Sequence, residues 1–215
     1  MKSDVLITRP AYDYTTRYIS AWAQKILDFA KERSKKVIDL SRERANRQEF
    51  ESVIVKKDPS LILLNGHGGE NYVMGHDGEI LIAAEENHKL LKDKIVYALS
   101  CSSAKKLGPA SVMDGARAYV GYDEDFIFMY TIEKRTLPLE DRTAALFLEP
   151  SNQFAMSLLK GNSVSASFES AKKLYIKNIQ KFLTSQTSFE DRSAVRYLLW
   201  DLRHFVSLGD QEATV

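Results

Sequence analysis

The chain has 215 residues, 44% of them hydrophobic and 27% charged, with a formal net charge of +1. That is enough apolar content for a full core without staples, and so small a net charge gives no field toward nucleic acid or an anionic membrane. The single cysteine, Cys101, excludes a disulfide within the chain and a cysteine-rich zinc site.

No apolar run approaches the roughly 20 residues that span a bilayer. The opening MKSDVLITRP lacks the long apolar stretch of a secretory signal. A reducing cytoplasm is the expected compartment and one domain over residues 1–215 the expected organisation.

Short apolar strands alternate with amphipathic helices. Residues 4–8 (DVLIT) read as a first strand, ended by Pro10. Residues 14–33 have helical spacing through Tyr18, Trp22, Ile26 and Leu27. A second strand is expected over 36–40, a helix over 42–54, and a third, wholly apolar strand over 60–64 that delivers His67 at its end. In NYVMGHDGEILIA (71–83) two short strands flank His76-Asp77-Gly78-Glu79, and Asp-Gly is a hairpin signal because both positions tolerate positive φ.

A short helix over 85–91 precedes a fourth core strand, 94–99, which delivers Cys101. Residues 102–118 read as mostly helical and 118–122 (AYVGY) as a fifth strand. The stretch 124–150 reads as an insertion with a mobile loop. Helices over 152–160, 164–183 and 189–201 lead to a closing strand, 204–208. Such alternation implies an α/β fold with a mainly parallel sheet covered on both faces.

In open α/β sheets ligands bind at the carboxyl ends of the strands, where His67 and Cys101 both lie. The chain between them is long enough for a hairpin plus one crossover, so their strands can be neighbours. A thiol attacking a carbonyl, with an imidazole to move the proton to the leaving amine, needs that placement. The N–H groups of Gly68 and Cys101 can converge on an oxyanion, and Gly66, Gly68 and Gly69 let a substrate backbone approach. Ser102-Ser103-Ala104 reads as a helix start, which would lower the Cys101 pKa.

An apolar block ending in His-Gly (LILLNGHGG), then one ending in Cys (IVYALSCSS), resembles the signature of the caspase–gingipain cysteine peptidases, often called clan CD. GARAYVGY (115–122) is similar to the element after the cysteine in bacterial gingipain-like and CHAT-type members, and HFVSLGDQEA (204–213) to their closing strand. The likeness covers residues 61–122 and, more weakly, the last ten or so.

It implies a caspase-like three-layer α/β/α sandwich and a Cys–His dyad that hydrolyses peptide bonds without a metal or cofactor. His67 takes the general acid–base place, Cys101 the nucleophile's and Gly68 the oxyanion-hole glycine's. Its substrate would be a protein or peptide, and regulation is expected from a regulatory protein partner or from cleavage within residues 124–150. Members that read Arg or Lys at P1 place an acidic residue two before the cysteine, where this chain has Leu99. Asp123 and Asp125, after the fifth strand, are the residues expected to read a basic P1 side chain instead.

Two other readings compete. One is a catalytically silent caspase-like scaffold that binds a partner protein. The other is a nucleotide binder using NGHGG, which needs a helix after the glycines where a hairpin is expected. NGHGGE lacks the Gly-Lys-Ser/Thr of a P-loop, no G-x-S-x-G elbow accompanies it, and no two histidines have the i, i+4 spacing of a helical metal motif. His76 reads as a polar turn residue, His88 and His204 have no assigned role, and Trp22 and Trp200 read as packing residues.

Overall fold

A computed structural model describes residues 5–183 and 189–215; residue 4, the expected start of the first strand, lies outside them. In chain order the elements are β1 Val5–Arg9, α1 Tyr14–Glu32, β2 Val37–Ser41, α2 Arg47–Lys57, β3 Leu61–Asn65, β4 Gly68–Gly69, β5 Tyr72–Met74, β6 Ile80–Ala83, β7 Ile95–Leu99, α3 Leu107–Met113, β8 Ala118–Tyr122, α4 Arg142–Leu159, α5 Val164–Phe182, α6 Phe189–His204 and β9 Phe205–Gly209. The main sheet has the order β2-β1-β3-β7-β8-β9, and every neighbour is parallel except β9, which runs against β8. A small antiparallel sheet, β4-β5-β6, stands after His67.

The strands read as continuous apolar runs because both faces of the sheet are covered. Side chains alternate between two cores. Val5, Ile7, Leu61, Leu63, Ile95, Tyr97, Leu99, Val120 and Tyr122 pack with α1, α4, α5 and α6. Leu6, Ile62, Leu64, Val96, Ala98 and Tyr119 pack with Phe50 and Ile54 of α2, Leu107 of α3 and the hairpin residues Val73, Leu81 and Ile82. This is a three-layer α/β/α sandwich.

Several boundaries differ from the sequence expectation. Arg42 takes a left-handed φ of +53°, and residues 42–44 make one 3-10 turn; α2 starts at Arg47, where Asn46 caps it by accepting from the Glu49 N–H at 2.8 Å. Glu85 is also left-handed (φ +67°), and the expected helix over 85–91 reduces to a 3-10 turn, His88–Leu91. α4 begins at Arg142 on an Asp141 cap and runs through Pro150, where the sequence had suggested a break. Pro150 leaves the Leu146 carbonyl without its helical donor, and Asn178 Nδ2 on α5 donates to it at 2.8 Å.

Residues between β8 and α4 carry Phe126, Phe128 and Tyr130 in a row of ring contacts that reaches Tyr122 and Tyr18. The Thr131 N–H donates to buried Asp141, which also accepts from the Tyr18 hydroxyl.

Candidate active site

β3 and β7 are parallel neighbours, paired from Leu61–Ile95 to Asn65–Leu99. His67 and Cys101 each lie two residues beyond the last pair, at the same sheet edge. At that edge Asn65 Nδ2 donates to the Thr8 carbonyl at 2.8 Å and the Asn65 N–H to the Thr8 hydroxyl at 3.0 Å, so buried polar bonds continue the β1–β3 pairing past its ladder. Leu99 is buried in the core facing α1, with its side chain in no position to read a substrate charge.

The two loops are joined directly. The Glu70 carbonyl accepts from the N–H groups of Lys106 (3.0 Å) and Leu107 (2.9 Å), and its carboxylate bridges Lys105 and Lys106. Gly68 lies so close to the cysteine loop that a Cβ there would sit 3.0 Å from the Cys101 carbonyl oxygen and 3.0 Å from Ser100 Cβ. Gly66 has φ +148°, and a Cβ on it would meet the Met74 carbonyl oxygen at 2.4 Å. Only glycine serves there.

The Met74 N–H donates to the His67 carbonyl at 2.8 Å. Antiparallel bonding alternates, so Gly69–Tyr72 is the next bonded pair and Gly68, between them, turns its N–H away from β5. Among the described residues the Cys101 N–H has no acceptor. Two donors on the facing loops are thus uncommitted to these ladders.

His67 Nε2 lies 2.6 Å from Asp13 Oδ2. Asp13 is the N-cap of α1, where it accepts from the Thr16 N–H at 2.7 Å. Partial burial works to raise the Asp13 carboxyl pKa. The bonds from the Thr16 N–H, His67 and the Thr16 hydroxyl outweigh it and leave the pKa below its ordinary value. The carboxylate is therefore ionised at neutral pH and accepts the hydrogen bond from His67 Nε2–H. Sequence reasoning missed Asp13. The D-x-x-T pattern marks a capping box, but a cap gives no sign that its second oxygen meets a histidine.

Cys101 is half-buried, with Sγ 3.9 Å from the Phe126 carbonyl oxygen. The expected helix N-terminus beneath it is absent. Ser102 is left-handed (φ +54°), its N–H donates to the Glu124 carbonyl, and α3 starts only at Leu107. Ser100, Ser103 and Tyr119 hold this turn through hydroxyl bonds of 2.9 and 3.0 Å. Without the helix end, burial raises the thiol pKa above its ordinary value, and the negative charge of Asp125 adds to the shift.

Asp125 accepts from the Ser102 hydroxyl at 3.0 Å, beside the thiol. Asp123 is engaged with His204 Nδ1 at 2.8 Å. Trp200 is not a core residue: it is 38% exposed, its Nε1–H donates to the Asp125 carbonyl at 2.8 Å, and its ring lies 4.2 Å from that of His204. Trp22 is buried, as expected. Behind this segment Asp201 is fully buried; one oxygen accepts from the Ile127 N–H at 3.0 Å and the other has no partner among the described residues. Burial raises its pKa well above its ordinary value.

His88 is buried against Asp114 and belongs to the fold. His76 accepts from the Ala11 N–H and is separated from His67 by the Tyr12 ring. Among the described residues no three His, Cys, Asp or Glu side chains cluster to hold a metal, and no helix is long and apolar enough to cross a membrane.

Sequence comparison finds no matching family model and no matching curated protein. The structure of the Arg-specific cysteine proteinase gingipain R, however, matches with a TM-score of 0.61 at 11% identity, over 99% of this chain and 47% of that one. The fold is caspase/gingipain-like. The chain spans about half the length of that proteinase, and at this identity the likeness carries the architecture alone.

Proposed function

We propose that this chain is a cysteine endopeptidase whose nucleophile is Cys101 and whose general acid–base is His67. The observation that carries the reading is the pairing of the two loops, two residues past the Asn65–Leu99 pair and stitched by Glu70 to Lys106 and Leu107. A caspase/gingipain-like fold supports it.

In this mechanism the thiol is neutral at rest, because burial and Asp125 raise its pKa. Sulfur attacks the scissile carbonyl carbon as its proton passes to Nδ1 of His67. Asp13 stabilises the imidazolium through Nε2–H. The oxyanion is received between the Gly68 and Cys101 N–H groups. Collapse breaks the C–N bond, His67 gives its proton to the leaving amine, and a thioester remains. Water, deprotonated by His67, hydrolyses the thioester and restores the thiol.

A basic P1 side chain suits Asp125, which stands beside the thiol, better than Asp123, which is held by His204. The named specificity of gingipain R for Arg agrees with that preference.

Matched peptides with Arg, Leu or Asp at P1 test both levels, together with labelling by an acyloxymethyl-ketone probe. Turnover and a covalent adduct are expected, both lost in Cys101→Ala and weakened in His67→Ala. Preference for Leu or Asp over Arg rejects the acidic pocket. Leu99, buried where Arg- and Lys-reading members carry an acid, favours a second reading, a silent scaffold for a partner protein; absence of both turnover and adduct in the intact chain leaves that reading or an unactivated zymogen, which a partner pull-down separates.

A further inference from the structure

On the far side of His67 from Cys101 lies a cavity of about 430 Å³ lined by Ala11, Tyr12, Arg17, Arg42, Glu43 and His76. We infer that it is the subsite for the leaving half of the substrate and binds a carboxylate there. The inference rests on the peptidase reading and deepens it.

The position follows from the strand order. Along the carboxyl edge the chain ends run from β2, followed by Arg42, to β1, followed by Tyr12 and Arg17, then β3 with His67 and β7 with Cys101. In thiol peptidolysis the amine departs with a proton from the imidazole, so the leaving segment runs out past His67. The Tyr12 ring makes the connection: it stands edge-on to His67 at 6.1 Å and to His76 at 5.5 Å. Strands are spaced about 4.8 Å apart, which places the β2 end roughly 10 Å from β3, and an extended peptide rises about 3.4 Å per residue. The second or third residue after the scissile bond reaches the arginines.

The charge argues for an anion. Nearby arginines are neutralised within the chain: Arg9 by Asp39, Arg44 by Glu49, Arg47 by Glu51 and Glu86. Among the described residues Arg17 and Arg42 form no ion pair, and both are exposed at this cavity. His76 Nδ1 accepts from the Ala11 N–H at 3.3 Å, which leaves Nε2–H as a further donor. Two carboxylates stand near His76 Nε2, Glu43 of the lining at 3.9 Å and Asp77 at 3.8 Å; both are largely exposed, and neither pairs with Arg17 or Arg42. Two guanidinium groups with free donors match a carboxylate in shape and charge. An Asp or Glu side chain and a peptide's own C-terminus supply the same group.

The test uses internally quenched peptides that share an Arg P1 and carry Glu, Ala or Lys at each of the first four positions after the scissile bond, as free acids and as C-terminal amides. Glu at the second or third position is expected to raise kcat/KM about tenfold or more over Lys, as one charge-assisted bidentate contact would. The Arg17→Glu/Arg42→Glu protein, checked for folding by its melting curve, should reverse the Glu-to-Lys ratio. Preference for free acids regardless of side chain assigns the site to a C-terminus.

Binding of the same peptides to Cys101→Ala, followed by fluorescence anisotropy, separates the two readings. Cleavage with no charge preference, in wild type and double variant alike, overturns the subsite and leaves the peptidase. Acidic binding that the double variant loses, without cleavage by wild type, keeps the carboxylate site and overturns the peptidase. Neither cleavage nor binding overturns both.

Discussion

Asp13 holds two jobs in one carboxylate: it caps α1 through the Thr16 N–H and orients His67 through Nε2. Asparagine caps helices as well as aspartate does, so Asp13→Asn separates the roles. It keeps the cap and, on the proposed mechanism, removes the charge that steadies His67 as it takes up the thiol proton. We expect kcat/KM to fall on the order of 100- to 10,000-fold, as when a buried orienting carboxylate becomes an amide in a hydrolytic triad, with the melting temperature held within about 2 °C. A fall in melting temperature that matched the loss of activity would assign Asp13 to the cap alone. The placement of His67 and Cys101 at neighbouring strand ends was legible in the sequence because each follows an apolar run and borders small residues. Asp13 was not, because a contact across 54 residues leaves no spacing to read.

The elements show the same division. Strand 118–122 and the helix from residue 164 stand where the periodicity placed them, since each is set by its own apolar pattern. The path of α4 through Pro150 depends instead on α5: Asn178 supplies the donor that proline lacks. Asn178→Ala leaves the Leu146 carbonyl buried and unpaired and should cost about 1–3 kcal/mol, read as a lower denaturant midpoint with an unchanged slope. In a Pro150→Ala background, where the helix supplies its own donor, the loss should shrink; equal losses in both backgrounds would show that Asn178 acts otherwise. The turn after Cys101 makes a parallel case. Its small polar residues suit a helix start, but the Ser102 N–H is taken by the Glu124 carbonyl and the helix is delayed to Leu107. Burial and the charge of Asp125 then move the thiol pKa up, with no helix end beneath it to oppose them.

For the whole molecule, the pH dependence of stability gathers these carboxylates. Asp201 is buried beside Tyr97, Tyr122 and Tyr175, and its pKa is raised in the fold. Its contribution to stability is therefore complete below its ordinary value of 3.8 and is lost as pH rises through the folded value. Asp13, with a depressed pKa, contributes above its ordinary value and loses that contribution on acidification. Asp201→Asn keeps an acceptor for the Ile127 N–H and removes the titration. It should raise the melting temperature at pH 7 by about 2–4 °C for each kcal/mol regained, with the gain vanishing toward pH 4. Thermal melts across pH 4–8 check this, and a gain independent of pH would show that Asp201 is not held neutral.

Apolar patterning along the chain was enough to read the alternation of strands and helices, the mainly parallel sheet, and the two strand ends that carry His67 and Cys101. Burial on both faces of a sheet writes itself into every strand as an apolar run, a local signal repeated along the chain. Layer packing, by contrast, brings Asp13 to His67, sets Asp125 beside the thiol, and gives Arg17 and Arg42 a shared cavity behind Tyr12. Those groups stand together because the strand order β2-β1-β3-β7 brings distant loops to one edge, and strand order is set by how whole layers pack.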